Sequence, residues 1–174
     1  MNLLTSAVAA VITDPAGRVL LCQQAQGRRW WGLPGGKVHP EESPLHAAVR
    51  DICEEVGASV TLVDLVGLYQ LTSDNDDLHD VHVHVFRARL DGEVTVNSPR
   101  ICHLSWHDAD DLPAPMTPVS RQALADAVAG RSGILRIVHR DAEPEIPDAD
   151  ADGAPESLPA QTSAEAMAGA LLAS

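Results

Sequence analysis

Three acids, Asp51, Glu54 and Glu55, stand at i, i+3 and i+4 of a segment with helical periodicity, so their carboxylates share one patch of a helix surface. Like charges at those spacings repel by roughly 0.2–0.5 kcal/mol per pair. The cluster also falls in the last two turns, where carboxylates oppose the helix macrodipole, and the neighbouring Arg50 offsets only part of that. A divalent cation held among the acids accounts for the arrangement, since Mg²⁺ or Mn²⁺ takes oxygen ligands and commonly uses one or two carboxylates plus substrate phosphates. A solvated acidic face is the alternative reading of any acidic triplet. Against it stands the preceding loop, Trp31-Gly32-Leu33-Pro34-Gly35-Gly36-Lys37. Paired glycines let the backbone approach a ligand closely, a bare carbonyl there can join a coordination shell, and Lys37 can meet a phosphate. Gly35, Gly36 and Lys37 are therefore the candidate substrate-binding residues.

The elements that must position these groups are marked in the chain. Ser43 reads as a helix cap with Pro44 at the first helical position and Glu41 and Glu42 just before it, and Gly57 reads as the stop. Leu45, Ala48, Val49, Ile52 and Val56 form an apolar stripe expected to pack on a sheet. Upstream, residues 7–13 and 19–23 are β-rich runs joined by Asp14-Pro15-Ala16-Gly17, a hairpin signal. Downstream, residues 60–71 read as a strand, 72–77 as an exposed loop, 80–90 as a strand ending at the tight-turn pair Asp91-Gly92, and 101–106 as a short strand. Thr117 and Pro118 open a second amphipathic helix carrying Val119, Ala123, Leu124, Ala127 and Val128, with Gly130 beyond. Strands between two helices predict an α/β fold with a mixed sheet sandwiched by helices.

Read in order, Gly36, five residues, Glu42, seven residues, then Arg50-Asp51-Ile52-Cys53-Glu54-Glu55-Val56-Gly57-Ala58 resembles the signature of the Nudix hydrolases. Fixed positions at about 7% usage each coincide by chance about once in ~10⁵ chains of this length. Two positions depart from the signature: Asp51 stands where the family has Glu, and Ala58 where a larger apolar residue is usual. The resemblance implies an α/β/α sandwich. It also implies that the Gly36 carbonyl, Glu54 and Glu55 are metal ligands, and that Asp51 is a ligand or the base that activates water. Arg50 would orient the glutamates and Glu42 would support the loop. Catalytic residues would then be Arg50, Asp51, Glu54 and Glu55, the metal set Gly36, Asp51, Glu54 and Glu55, and the cofactor Mg²⁺ or Mn²⁺. The implied reaction is attack of water on phosphorus in a nucleoside diphosphate linked to some group X, splitting the phosphoanhydride. Because Asp is one methylene shorter than Glu, it serves a metal only if the helix sits closer or a water bridges the gap. The rival expectation is a Nudix-like regulatory module that binds a nucleotide without cutting it.

Composition narrows the partners. With 174 residues and 45% apolar content the chain can build one ordinary core. Residues 141–174 hold eight acids, four prolines and no Lys or Arg, so a domain over 1–140 and an acidic, Pro/Ala-rich disordered tail are expected, with residues 164–173 expected as a frayed end and a docking terminal helix as the alternative. A net charge of −13 argues against nucleic-acid polymers and anionic membranes as partners, and leaves a nucleotide-derived small molecule. A homodimer is compatible with all of this. Cys22, Cys53 and Cys102 have neither disulfide nor zinc spacing and are expected to be packed, reduced thiols. Neither a convincing signal peptide nor a span-length apolar run is present, so a cytoplasmic location is expected.

Weaker candidates remain. His82 and His84 share a sheet face with Asp80 and Phe86 and fit a structural or substrate-lining role. Asp74, Asp76, Asp77 and Asp80 are candidates for a base outside the signature, because the stretch before Trp106, where the family often has acids, carries Arg100 and His103 instead. Trp30 or Tyr69 can stack on a base. Gln23 and Gln24 stand where relatives often carry arginine, a role Arg28 and Arg29 can take over.

Overall fold

The structure, a computed structural model, describes residues 5–73 and 79–140. The expected tail, with its end at residues 164–173, and the acids Asp74, Asp76 and Asp77 lie outside the described residues. Along the chain run β1 (Thr5–Ile12), β2 (Val19–Gln24), β3 (Trp31–Gly32), β4 (Gly35–Lys37), α1 (Pro44–Val56), β5 (Ser59–Thr72), β6 (Val81–Asp91), β7 (Ile101–His107), α2 (Pro118–Val128) and β8 (Ile134–His139). They form a mixed five-stranded sheet in the order β4-β1-β6-β5-β8 and an antiparallel three-stranded sheet in the order β3-β2-β7.

β1 shows why its apolar run is nearly continuous: it is buried on both faces, as interior strands of a sandwiched sheet are. Val8, Ala10 and Ile12 point toward α1 and pack with Ala48, Ile52, Val56, Phe86 and Ala88. Ala9 and Val11 point the other way, into the core with Val85, Tyr69, Val119, Ala123 and Leu124 of α2. The α/β/α sandwich expected from the sequence is therefore present. β5 serves both layers through two register shifts, between Leu62 and Asp64 and between Leu65 and Gly67, which let Val66 and Tyr69 face the same side despite their odd spacing.

Both helices start where read, but only Ser43 caps with its side chain; the Thr117 hydroxyl donates to Ser120 Oγ instead. Ser43 Oγ accepts from the His46 N–H at 3.2 Å, and Gly57, at φ 67°, closes α1 in the left-handed conformation that glycine adopts without penalty. The stripe on α1 differs from expectation. Leu45 and Val49 are exposed, whereas Ala47, Ala48, Asp51, Ile52, Glu55 and Val56 make the buried face. The helix is rotated so that two of its acids face inward, a rotation for which Gly36 of β4 leaves the room: a Cβ there would run into the Asp51 carboxylate.

Two strand pairings also differ. The Asp14-Pro15-Ala16-Gly17 turn forms, with the Gly17 amide donating to the Asp14 carbonyl, but only the bridge Thr13–Val19 continues it before β1 and β2 diverge into separate sheets. Asp91-Gly92 ends β6 without a hairpin, because the next strand, β7, pairs with β2. Cys22 is buried and Cys53 half-buried, as packed thiols should be, while Cys102 is exposed, and all three are free. Among the described residues no helix is long and apolar enough to cross a membrane.

Candidate active site

The acid cluster is divided by burial. Asp51 and Glu55 are 1% and 4% exposed, whereas the Glu54 side chain faces solvent. The single acidic patch read from the sequence is therefore two buried carboxylates with a third beside them at the surface. Each buried carboxylate is held by backbone or arginine. Asp51 Oδ1 accepts from Arg50 at 2.9 Å and from Arg100 at 3.1 Å, and Glu55 Oε2 accepts from the Gly35 N–H at 2.9 Å. Burial pushes the Glu55 carboxyl up to about 7, against the lowering effect of the Gly35 amide and Arg100 and with Asp51 and Glu54 adding to the rise.

Arg50 knits the helix to the loop. Its Nε and one terminal nitrogen donate to both oxygens of Glu42 at 2.8 Å, a bidentate pair, and it reaches the Lys37 carbonyl at 3.2 Å. Glu42 in turn accepts from the His39 N–H at 3.1 Å, so the loop is tied at both ends. The hydrogen bond from Arg50 holds the Glu42 carboxyl down at about 2. A depressed carboxylate contributes stability that is complete above its ordinary pKa near 4.5 and is lost as pH falls toward the folded value. The melting temperature should accordingly fall between pH 4.5 and 2, and Glu42→Gln should both lower it at neutral pH and flatten that acid limb. A pH series of melts on the two proteins checks this, and parallel curves would refute it.

A cavity of about 800 Å³ opens over this loop, lined by Gly35, Gly36, Lys37, Glu55 and Arg100 among others. Asp51, Glu54 and Arg50 are not among its lining residues. Two features suit an oxygen-seeking dication. Asp51 Oδ2 is buried without a hydrogen-bond partner, an expensive state that a cation relieves. Gly36 lies so close that a Cβ there would come within 2.4 Å of that same oxygen, so peptide and carboxylate converge. The short side chain at position 51 thus belongs to a helix that does sit close to the loop. With the carboxylates as placed, no three His, Cys, Asp or Glu side chains among the described residues make a ready cage, because Glu54 faces outward.

Several candidates fall elsewhere. Tyr69 is wholly buried and donates to Asp126 at 3.0 Å, and Trp30 is 8% exposed, so neither is placed to stack on a base. Neither lines the cavity. Asp80 accepts from Gln70 at 2.8 Å, and His84 lies against Ser6 and the Ala7 carbonyl. Arg29 donates to Cys102 Sγ and the Arg28 guanidinium lies 5.9 Å from the Trp30 ring centre. Gln24, in contrast, lines the cavity. Arg100 is the residue whose role the spacing argument missed: it stood out as a departure from the usual acids, with nothing to show that it reaches Asp51.

Comparisons with known proteins place the fold in a known family. The NUDIX domain profile matches residues 3–127. A MutT-like protein of Streptomyces ambofaciens is 31% identical over 129 residues, 74% of this chain and 80% of that protein. The CTP pyrophosphohydrolase of Escherichia coli K12 is 35% identical over 88 residues, 48% of this chain and 65% of that protein. The crystal structure of a MutT NUDIX hydrolase from Burkholderia pseudomallei superposes with a TM-score of 0.65 at 32% identity, covering 71% of this chain and 98% of that one. The chain belongs to the Nudix family and is a hydrolase of phosphoanhydride bonds.

Proposed function

We propose that the protein is a dication-dependent pyrophosphohydrolase that cleaves a nucleoside diphosphate linked to X by attack of water on phosphorus, and that nucleoside triphosphates are the first class to test. The observation that carries this reading is the orphaned Asp51 Oδ2 facing Gly36 beside a cavity of nucleotide size. The E. coli relative, a CTP pyrophosphohydrolase, supports the choice of triphosphates.

Asp51, Glu54, Glu55 and the Gly36 carbonyl would hold Mg²⁺ or Mn²⁺. Such an ion lowers the pKa of water and neutralises charge on the transferring phosphoryl group. The chain's own residues do the rest. Arg50 fixes Asp51 and Glu42 in one rigid unit, so the loop and helix keep their spacing as charge changes. The Gly35 amide orients Glu55, and Lys37, exposed at the end of β4, supplies a positive charge to the polyphosphate. Among the described residues no Phe, Tyr or Trp lines the cavity, so the base is held by hydrogen bonds from groups such as Gln24 and Gln26 and by contact with Leu33, Ile101 and the His39 ring. Residues 1–140 are assigned the activity and 141–174 are an appendage to it. Three free thiols and the small-molecule substrate fit a cytoplasmic setting.

The test is a panel of nucleoside triphosphates, nucleotide sugars and dinucleotides with Mg²⁺ and with Mn²⁺. Release of nucleoside monophosphate, phosphate or pyrophosphate, abolished by chelator, is the expected result. Saturable nucleotide binding with no turnover across the panel would replace this reading with the regulatory module.

A further inference from the structure

Two arginines serve Asp51, and they are built differently. Arg50 is locked by Glu42, the Lys37 carbonyl and Asp51. Arg100 arrives from the turn before β7, donates to Asp51 Oδ1 at 3.1 Å and stands 3.8 Å from Glu55 Oε1. Its side chain is 51% exposed, while the two carboxylates it touches are 2% and 6% exposed as side chains. Its other side-chain hydrogen bond is local and long, from Nε to Ser98 Oγ at 3.5 Å. A long, half-exposed side chain with one good charged contact can leave that contact at small cost.

Its position matters because it bridges the same two carboxylates that the proposed function gives to a dication. A double positive charge among Asp51, Glu54 and Glu55 repels a guanidinium that is hydrogen-bonded to Asp51 and ion-paired with Glu55, even though the ion would take the other Asp51 oxygen, the unpartnered Oδ2. Arg100 also lines the cavity together with Lys37, and a guanidinium fork matches the oxygens of a phosphate. We propose that Arg100 is a resident counter-cation of the acid cluster that a dication must displace from Asp51 and Glu55, and that the displaced guanidinium then takes a substrate phosphate. The proposal rests on the dication-dependent reading above and deepens it. Without metal the arginine stabilises two buried carboxylates. With metal it exchanges them for substrate, so ion binding and substrate binding are coupled through one side chain.

The test reads metal binding directly, with no turnover involved. Mn²⁺ affinity is measured by titration calorimetry or by the spin-resonance signal of free Mn²⁺ on the full chain, for the parent, Arg100→Gln, Arg100→Lys and the distant surface variant Arg89→Gln. Arg100→Gln should bind Mn²⁺ on the order of tenfold more tightly, while Arg100→Lys, which keeps the charge, and Arg89→Gln stay near the parent. With Mn²⁺ saturating, α,β-methylene ATP should bind Arg100→Gln on the order of tenfold more weakly than the parent. Unchanged or weaker Mn²⁺ binding by Arg100→Gln overturns the counter-cation, and unchanged nucleotide binding overturns the phosphate contact. A parent protein that binds no dication at all would instead remove the functional reading underneath, a different and distinguishable failure.

Discussion

Glu55→Gln should lower turnover of the best panel substrate on the order of 10²-fold or more and leave the fold intact. The size follows from removing a negative oxygen from the metal set, where charge stabilisation of the reacting phosphoryl group originates. The intact fold follows from geometry: a glutamine oxygen can still accept from the Gly35 N–H, now at 2.9 Å from the carboxylate. Stability gives an internal control with a definite sign. The Glu55 carboxyl is raised by burial from 4.5 to about 7, so its contribution to folding is present in full below 4.5 and is lost as pH rises through 7. The glutamine variant is therefore expected to melt no lower than the parent at pH 8 in chelator, while its rate has collapsed. Glu54→Gln should show a comparable loss of rate with no change in melting, since that side chain is exposed. Rates in both variants within threefold of the parent would show that these acids do not carry the chemistry.

The contrast between Glu54 and Glu55 also marks where sequence reasoning stops. Spacing placed three carboxylates on one helix beside a glycine loop, because i, i+3 and i+4 geometry and a fixed signature are local properties. Which side of the helix faces the sheet is not local. Leu45 and Val49 belong to the same stripe as Ile52 and Val56 by periodicity, yet they are exposed, because the helix turns its acid side to the glycines of β4, where Gly36 leaves room for Asp51 and the Gly35 amide binds Glu55. Pairing is equally invisible: alternation said that β1 and β2 are strands but not that they enter different sheets. β3 and β4 span two and three residues and are rich in glycine, too short for any period to register. β8 escaped notice because its apolar run is brief and broken by Arg136, a residue that takes its meaning from a partner far along the chain.

That partner is Asp126, and its removal should cost the fold several kcal/mol, as much as truncating a large core side chain. Asp126 sits at i+7 from Val119 and i+3 from Ala123, on the apolar stripe of α2, and is 0% exposed. It accepts from Tyr69 of β5 at 3.0 Å, from Arg131 at 2.8 Å, and from Arg136 of β8 at 3.0 and 2.6 Å. Burial alone would raise its carboxyl, but the hydrogen bonds from Arg136, Tyr69 and Arg131 outweigh it and hold the group below the ordinary range, so it stays ionised. One carboxylate thus joins α2 to the outer two strands of the large sheet. Asp126→Ala leaves the wholly buried Tyr69 hydroxyl unpaired and two guanidinium groups without their anion, for which about 3–5 kcal/mol is expected when a buried pair loses one member. Arg131 and Arg136 are partly exposed and can turn to water, which places the result at the lower end, about 3 kcal/mol, or a melting point lower by about 10 °C. Tyr69→Phe in the Asp126→Ala background should cost less than in the parent, because the hydroxyl it deletes has already lost its partner. Additive losses in that double-mutant cycle, measured by denaturant titration, would show that the carboxylate and the phenol are merely neighbours.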